Sequence, residues 1–112
     1  MRKALVQLHG RPAGHLTQED GDVFAFAYAE DYDGPPVSLT LPVDGGPWRW
    51  EHFPDVFEGM LPEGVNRESA RRDHNLEEDD LFGLLLAVGG DTAGALQVYP
   101  AMEETPEAGD HP

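Results

Sequence analysis

The chain has 112 residues, enough for one hydrophobic core and too few for two. Seven Lys and Arg against 22 Asp and Glu give a formal charge of −15; nucleic-acid phosphates call for the opposite field, so direct DNA or RNA binding is set aside. With 39% hydrophobic and 26% charged residues and no Cys, the composition is that of a folded domain without disulfides, zinc–thiolate sites or a thiol nucleophile.

The N-terminus opens with Met1-Arg2-Lys3, which has the charge of a signal-peptide n-region. The apolar run behind it, Ala4-Leu5-Val6, is cut by Gln7, and no small-residue cleavage pattern follows. No apolar stretch approaches the length of a membrane span. The expectation is a soluble cytoplasmic protein with no membrane partner.

The first half reads as short strands. Residues 3–8 form one, His9-Gly10-Arg11-Pro12 is a turn signal, and residues 13–17 return as the second arm of a hairpin. A polar turn over residues 18–22 precedes Val23-Phe24-Ala25-Phe26-Ala27-Tyr28, whose three rings alternate with small residues and share one strand face. Val37, Leu39 and Leu41 alternate with Ser38 and Thr40 between Pro35-Pro36 and Pro42, which predicts another strand. Trp48 and Trp50 stand two apart, so an extended backbone points both the same way, either into the core or into an interface.

From about residue 52 the period changes. Pro54 and Asp55 open a short helix that Gly59 stops, and Pro62-Glu63 opens a second that runs to about His74. Glu63 with Arg67 and Glu68 with Arg72 are i,i+4 pairs in the favourable order. A third helix begins near Asp79 with Leu81, Leu84, Leu85 and Val88 on one face; Phe82 and Leu86 widen it, so it is buried on most sides. Gly89-Gly90 ends it, residues 93–99 form the last strand, and residues 101–112 read as a disordered acidic tail behind a domain of residues 1–100. The predicted fold is α+β: a small, mostly antiparallel sheet, partly barrel-like, packed with three short helices.

Motifs with chemical meaning are few. The histidines at 9, 15, 52, 74 and 111 lack metal-ligand spacing. Asp31-Tyr32-Asp33-Gly34 lacks the third ligand position and closing Glu of a calcium loop and reads as a β-turn. Gly89-Gly90-Asp91 with Gly94 follows a helix rather than preceding one, so it meets the negative helix end and caps it instead of cradling a phosphate. Ser38 and Ser69 lie outside any nucleophile elbow. The basic cluster Arg67, Arg71 and Arg72 is matched by Glu63, Glu68 and Asp73 on a solvated helix face. The expectation is a non-enzyme with no catalytic residue, no metal and no cofactor.

A set of segments in fixed order carries a resemblance. They are Val37-Ser38-Leu39-Thr40-Leu41-Pro42; Phe57-Glu58-Gly59-Met60-Leu61-Pro62-Glu63-Gly64 with Arg67; Asp80-Leu81-Phe82-Gly83-Leu84-Leu85; and Gly89-Gly90-Asp91-Thr92-Ala93-Gly94-Ala95-Leu96. Together, with Gly14-His15-Leu16 near the start, they resemble the N-terminal domain of the HipA family of toxin kinases over roughly residues 3–100. In that family the nucleotide-binding loop and the catalytic and metal-binding Asp residues lie after this domain, and this sequence stops before them. A free-standing copy is similar to the HipS-like antitoxins of three-gene HipBST toxin–antitoxin systems. The resemblance implies a protein that neutralises a separate HipT-like Ser/Thr kinase toxin by direct contact, beside a HipB-like DNA-binding protein in the same complex.

It also implies a contact surface in the loop Leu61, Pro62, Glu63, Gly64, Val65 and Arg67. Family members often carry a bulky aromatic plug at the position of Val65; this chain has Val there, and Trp48 or Trp50 is the alternative anchor. Acidity fits such a role, because a kinase cleft that binds Mg-ATP presents positive potential and attracts a negative partner. Residues 1–100 hold all seven basic and 18 acidic residues, so the body alone carries −11; general solubility or life in a salty cytoplasm accounts for acidity equally well. Two rival roles remain open at this point: a subunit that completes the kinase fold without inhibiting it, and an acidic nucleic-acid mimic of a DNA-binding partner.

Overall fold

A computed structural model describes residues 2–19, 23–77, 79–91 and 94–101 of the chain. Among these residues five strands form one sheet: β1 (Arg2–Leu8), β2 (Arg11–Gln18), β3 (Phe24–Tyr28), β4 (Trp48–Trp50) and β5 (Leu96–Pro100). Their order across the sheet is β4-β3-β2-β1-β5, every neighbouring pair is antiparallel, and the sheet is open, with β4 and β5 as its edges. Three helices, α1 (Asp55–Glu58), α2 (Gly64–Asp73) and α3 (Leu81–Val88), complete the α+β fold, and a single 3-10 turn (Gly89–Asp91) extends α3.

The hairpin forms where the turn chemistry places it. His9 and Gly10 both take positive φ, the twist that a two-residue connection needs to match the strands, and Gly10 adopts it without a side-chain penalty. The second arm begins earlier than the sequence suggests, at Arg11, because a register shift between Val6 and Gln7 absorbs the mismatch around Pro12. Registers then align rows of side chains: Trp48, Phe26, Leu16 and Ala4 lie side by side across four strands, and Tyr28, Gly14, Val6 and Val98 form the next row. Phe24, Phe26 and Tyr28 share one face as their alternation predicts.

That face is the core. Phe26 packs at a tilt against Phe57 with ring centroids 5.7 Å apart, and Phe24 meets Phe53 edge-on at 5.3 Å and Phe82 at a tilt at 6.1 Å. Phe82, Leu84 and Leu85 bring α3 into the same cluster, while Phe57 and Leu61 bring in α1 and the loop after it. Burying each such ring or leucine contributes about 1.5–3 kcal/mol. The N-terminus of α3 is tied to the sheet by Asp80. Its carboxylate accepts the Gly83 N–H at 3.0 Å and two Arg2 guanidinium bonds at 2.7 and 3.2 Å, and Arg2 lies 5.1 Å from the Phe82 ring centre.

The strand expected over residues 37–41 is not formed. Leu41 N–H bonds to Ser38 C=O at 3.0 Å and closes a tight turn, with only an isolated bridge between Ser38 and Leu41. Prolines on both sides deny the segment a ladder, and the Ser38 and Thr40 hydroxyls offer the backbone local partners instead. Leu41 is buried, Val37 half-buried, and Leu39 is 95% exposed. Among the described residues the last strand starts at Leu96; residue 93, where it was expected to begin, lies outside them, as does the acidic tail expected over residues 101–112 apart from Ala101, whose N–H bonds to Lys3 C=O at 3.0 Å. Among the described residues no helix is long and apolar enough to cross a membrane.

Candidate functional site

The loop between α1 and α2 is built from its backbone outwards. Gly59, Met60 and Leu61 N–H groups bond to Asp55, Phe57 and Glu58 carbonyls at 3.0, 3.1 and 3.0 Å, so α1 ends in a wound turn rather than a free strand of chain. Leu61 plugs into the core at 5% exposure. Glu63 then runs extended at φ −125° and ψ 162° at the N-cap position of α2, without a side-chain cap bond. Gly64 follows at φ +60° in open space, a left-handed conformation that β-carbon-bearing residues adopt at a cost. Val65, one residue into the helix, is 80% exposed. Two apolar residues four apart therefore do opposite things: Leu61 anchors the loop and Val65 faces water.

Arg67 holds this geometry in place. Its Nε donates to Pro62 C=O at 2.8 Å, and its guanidinium lies 3.8 Å from Glu58. The i,i+4 partner expected from the sequence was Glu63, but Glu63 is exposed and Arg67 folds back across the loop instead. A backbone carbonyl held beside the start of the helix is a nearer acceptor than a side chain free in solvent. The second expected pair also differs. Arg71, not Arg72, takes Glu68, donating two bonds to one carboxylate oxygen at 2.6 and 2.9 Å, and it reaches Leu76 C=O at 3.1 Å. These bonds hold the Glu68 carboxyl below the usual carboxylate range.

Trp48 and Trp50 point the same way, as their spacing requires, and both pack half-buried on the rim of the core. Trp48 stacks on Phe26 at 6.2 Å and meets Tyr28 edge-on at 6.0 Å. Beside them runs a groove of about 450 Å³ whose walls include Ser38, Thr40, Trp48, Trp50 and Asp55. A second, more polar hollow lies between α1 and the loop, lined by Asp55, Glu58, Glu63, Gly64 and Arg67. The two hollows share Asp55. The fold thus brings Glu63, Gly64 and Arg67 of the loop candidates into one hollow, leaves Leu61 in the core and Val65 in water, and sets the two tryptophans in the adjoining hollow. The sequence offered no signal for that shared wall, which depends on where α1 lands beside β4.

Ser38 is hydrogen-bonded to Thr40, and among the described residues no group of three His, Asp or Glu side chains is placed to hold a metal ion. His15 sits on the face of the sheet opposite the core row; burial, with a smaller push from Lys3, lowers its pKa.

Known proteins with this pattern point one way. A Haemophilus influenzae protein described as uncharacterised is 33% identical over 98 residues, covering 88% of this chain and 92% of that protein. From Sinorhizobium fredii, “Putative kinase Y4mE” is 36% identical over 107 residues, covering 92% of this chain and 26% of the kinase. This chain thus matches most of the first relative and about a quarter of the second. A solved structure of the N-terminal domain of HipA toxin superposes with a TM-score of 0.72 at 26% identity, covering 93% of this chain and 96% of that one. HipA of Shewanella oneidensis, solved with HipB and operator DNA, gives 0.70 at 27% identity, covering 93% of this chain and 25% of that one. The family pattern described as HipA N-terminal domain matches residues 4–99, so the helices, the loop between them and all of the sheet but Arg2, Lys3 and Pro100 fall inside it, and the chain belongs to the HipA N-terminal domain family.

Proposed function

We propose that this chain is a non-catalytic antitoxin that binds a separate HipA-type Ser/Thr kinase, HipT-like in lacking this domain, and restrains it by direct contact. A HipB-like DNA-binding protein belongs to the same complex. The reading rests above all on one observation: a loop stapled by Leu61 and Arg67 holds Val65 out in water at 80% exposure. A rigid loop loses little conformational freedom on docking, so an apolar side chain already held in place binds at low entropic cost. The family supplies the partner's class, and the Haemophilus relative supports a domain of this extent standing alone. The charge of −15 supports a partner with positive potential, whose association then slows as salt rises.

Co-expression with a domain-less HipA-type kinase encoded alongside tests the reading. Rescue of growth by the wild-type chain, lost in Val65→Asp, is the expected result. Toxicity that appears only when the chain is present would instead make it a required subunit, and purified chain with no affinity for the kinase would overturn the proposal.

A further inference from the structure

A lone exposed leucine is ordinary on a protein surface. Leu39 differs because its backbone is held. The Ser38–Leu41 turn is closed by its own backbone bond, and the Tyr28 hydroxyl accepts the Val37 N–H at 2.9 Å while donating to Leu41 C=O. Leu41 is buried beneath the turn and Leu39 stands above it at 95% exposure. Ser38 and Thr40, on either side of Leu39, both line the tryptophan groove. That groove shares Asp55 with the hollow lined by Gly64, the residue before Val65 in the chain. The two hollows thus meet at Asp55, with exposed Leu39 between two residues of the groove wall and exposed Val65 next to Gly64 of the other wall, which also carries Glu58, Glu63 and Arg67.

We infer that the two joined hollows form one docking face, with Leu39 a second anchor in addition to Val65, and that its occupant is a basic face of the partner kinase. The inference rests on the proposed function and adds an anchor to it. Charge selects the occupant. A second copy of this chain brings another −15 and the same acidic residues, so like charges meet. A surface bearing Lys and Arg, as expected where a kinase holds the phosphates of ATP, meets these residues with opposite sign and offers long aliphatic stems to the tryptophan rings.

The test measures the affinity of the full chain for a catalytically inactive, domain-less HipA-type kinase, in parallel with Leu39→Ser and Val65→Asp. Leu39→Ser should weaken binding by about tenfold or more while its thermal midpoint stays at the wild-type value, since the side chain touches solvent. Wild-type affinity should fall on the order of tenfold or more between low and high salt. Wild-type affinity in Leu39→Ser, with binding lost in Val65→Asp, would overturn the second anchor and leave the proposed function standing. Affinity indifferent to salt would overturn the basic occupant. Dimers of the chain alone that Leu39→Ser dissolves would hand the face to a second copy. Absence of wild-type binding would overturn both this inference and the function beneath it.

Discussion

Val65→Asp separates binding from folding within a single loop. Val65 is 80% exposed and lies in the first turn of α2, so the change removes almost no core contact. An aspartate at a helix N-terminus is favoured by about 0.3–1 kcal/mol, so the variant should fold as stably as the wild type or slightly more so. On docking the balance reverses. Burying a valine is worth about 1.5 kcal/mol at least, and an unpaired carboxylate carried into an apolar contact costs several kcal/mol. Even partial burial gives about 2–4 kcal/mol, which weakens the complex by about 30- to 1,000-fold. Leu61→Ala is the internal contrast, since its side chain is 5% exposed in the core. It should cost about 2–5 kcal/mol of stability and lower the thermal midpoint by about 8 °C or more. Titration calorimetry against the kinase, with thermal melts of each variant, reads both quantities. Wild-type affinity in Val65→Asp at an unchanged melting midpoint would refute the loop as a contact.

Other consequences follow from groups further from the loop. Asp80→Ala removes the α3 cap, at about 1 kcal/mol, and an ion pair whose Arg2 partner is 40% exposed, at up to about 1 kcal/mol more. Hydrogen bonds from Arg2 hold the Asp80 carboxyl below its ordinary value of 3.8, so its contribution is complete above that pH and is lost as pH falls through the lower folded value; denaturant melts should show the wild-type advantage shrinking there. Burial lowers the His15 pKa below 6.5, so the fold prefers neutral imidazole and stability falls as pH drops from 6.5 towards the folded value. His15→Gln should flatten that stretch of the stability–pH curve, and an unchanged slope would count against it. Gly64→Ala places a side chain at φ +60° and should cost about 1–2 kcal/mol in melts, although the space around it is open.

Much of the fold was legible because it depends on local rules. The alternation of Phe24, Phe26 and Tyr28, the His9-Gly10 turn and the apolar width of α3 each follow from the period of their own backbone. The segment order carried the family, which the match over residues 4–99 shows. The loop itself was legible through that resemblance, but the division of labour inside it was not. Nothing in the residue types of Leu61 and Val65 says which is buried, because that depends on the sheet waiting beneath the loop.

The residues at 37–41 show the limit most clearly. Alternation records only which side of an extended backbone a side chain would take; a strand also needs a neighbour to accept its hydrogen bonds. Prolines and two hydroxyls withdrew that option, so the same pattern became a turn with Leu41 inside and Leu39 outside. Arg67 likewise chose a carbonyl and Glu58 across the loop over the carboxylate one helical turn away. The sequence by itself determined the charge, the periods and the family. Tertiary structure decided which apolar side chains remain in water and which hollows share a wall, because both depend on distant segments meeting in space.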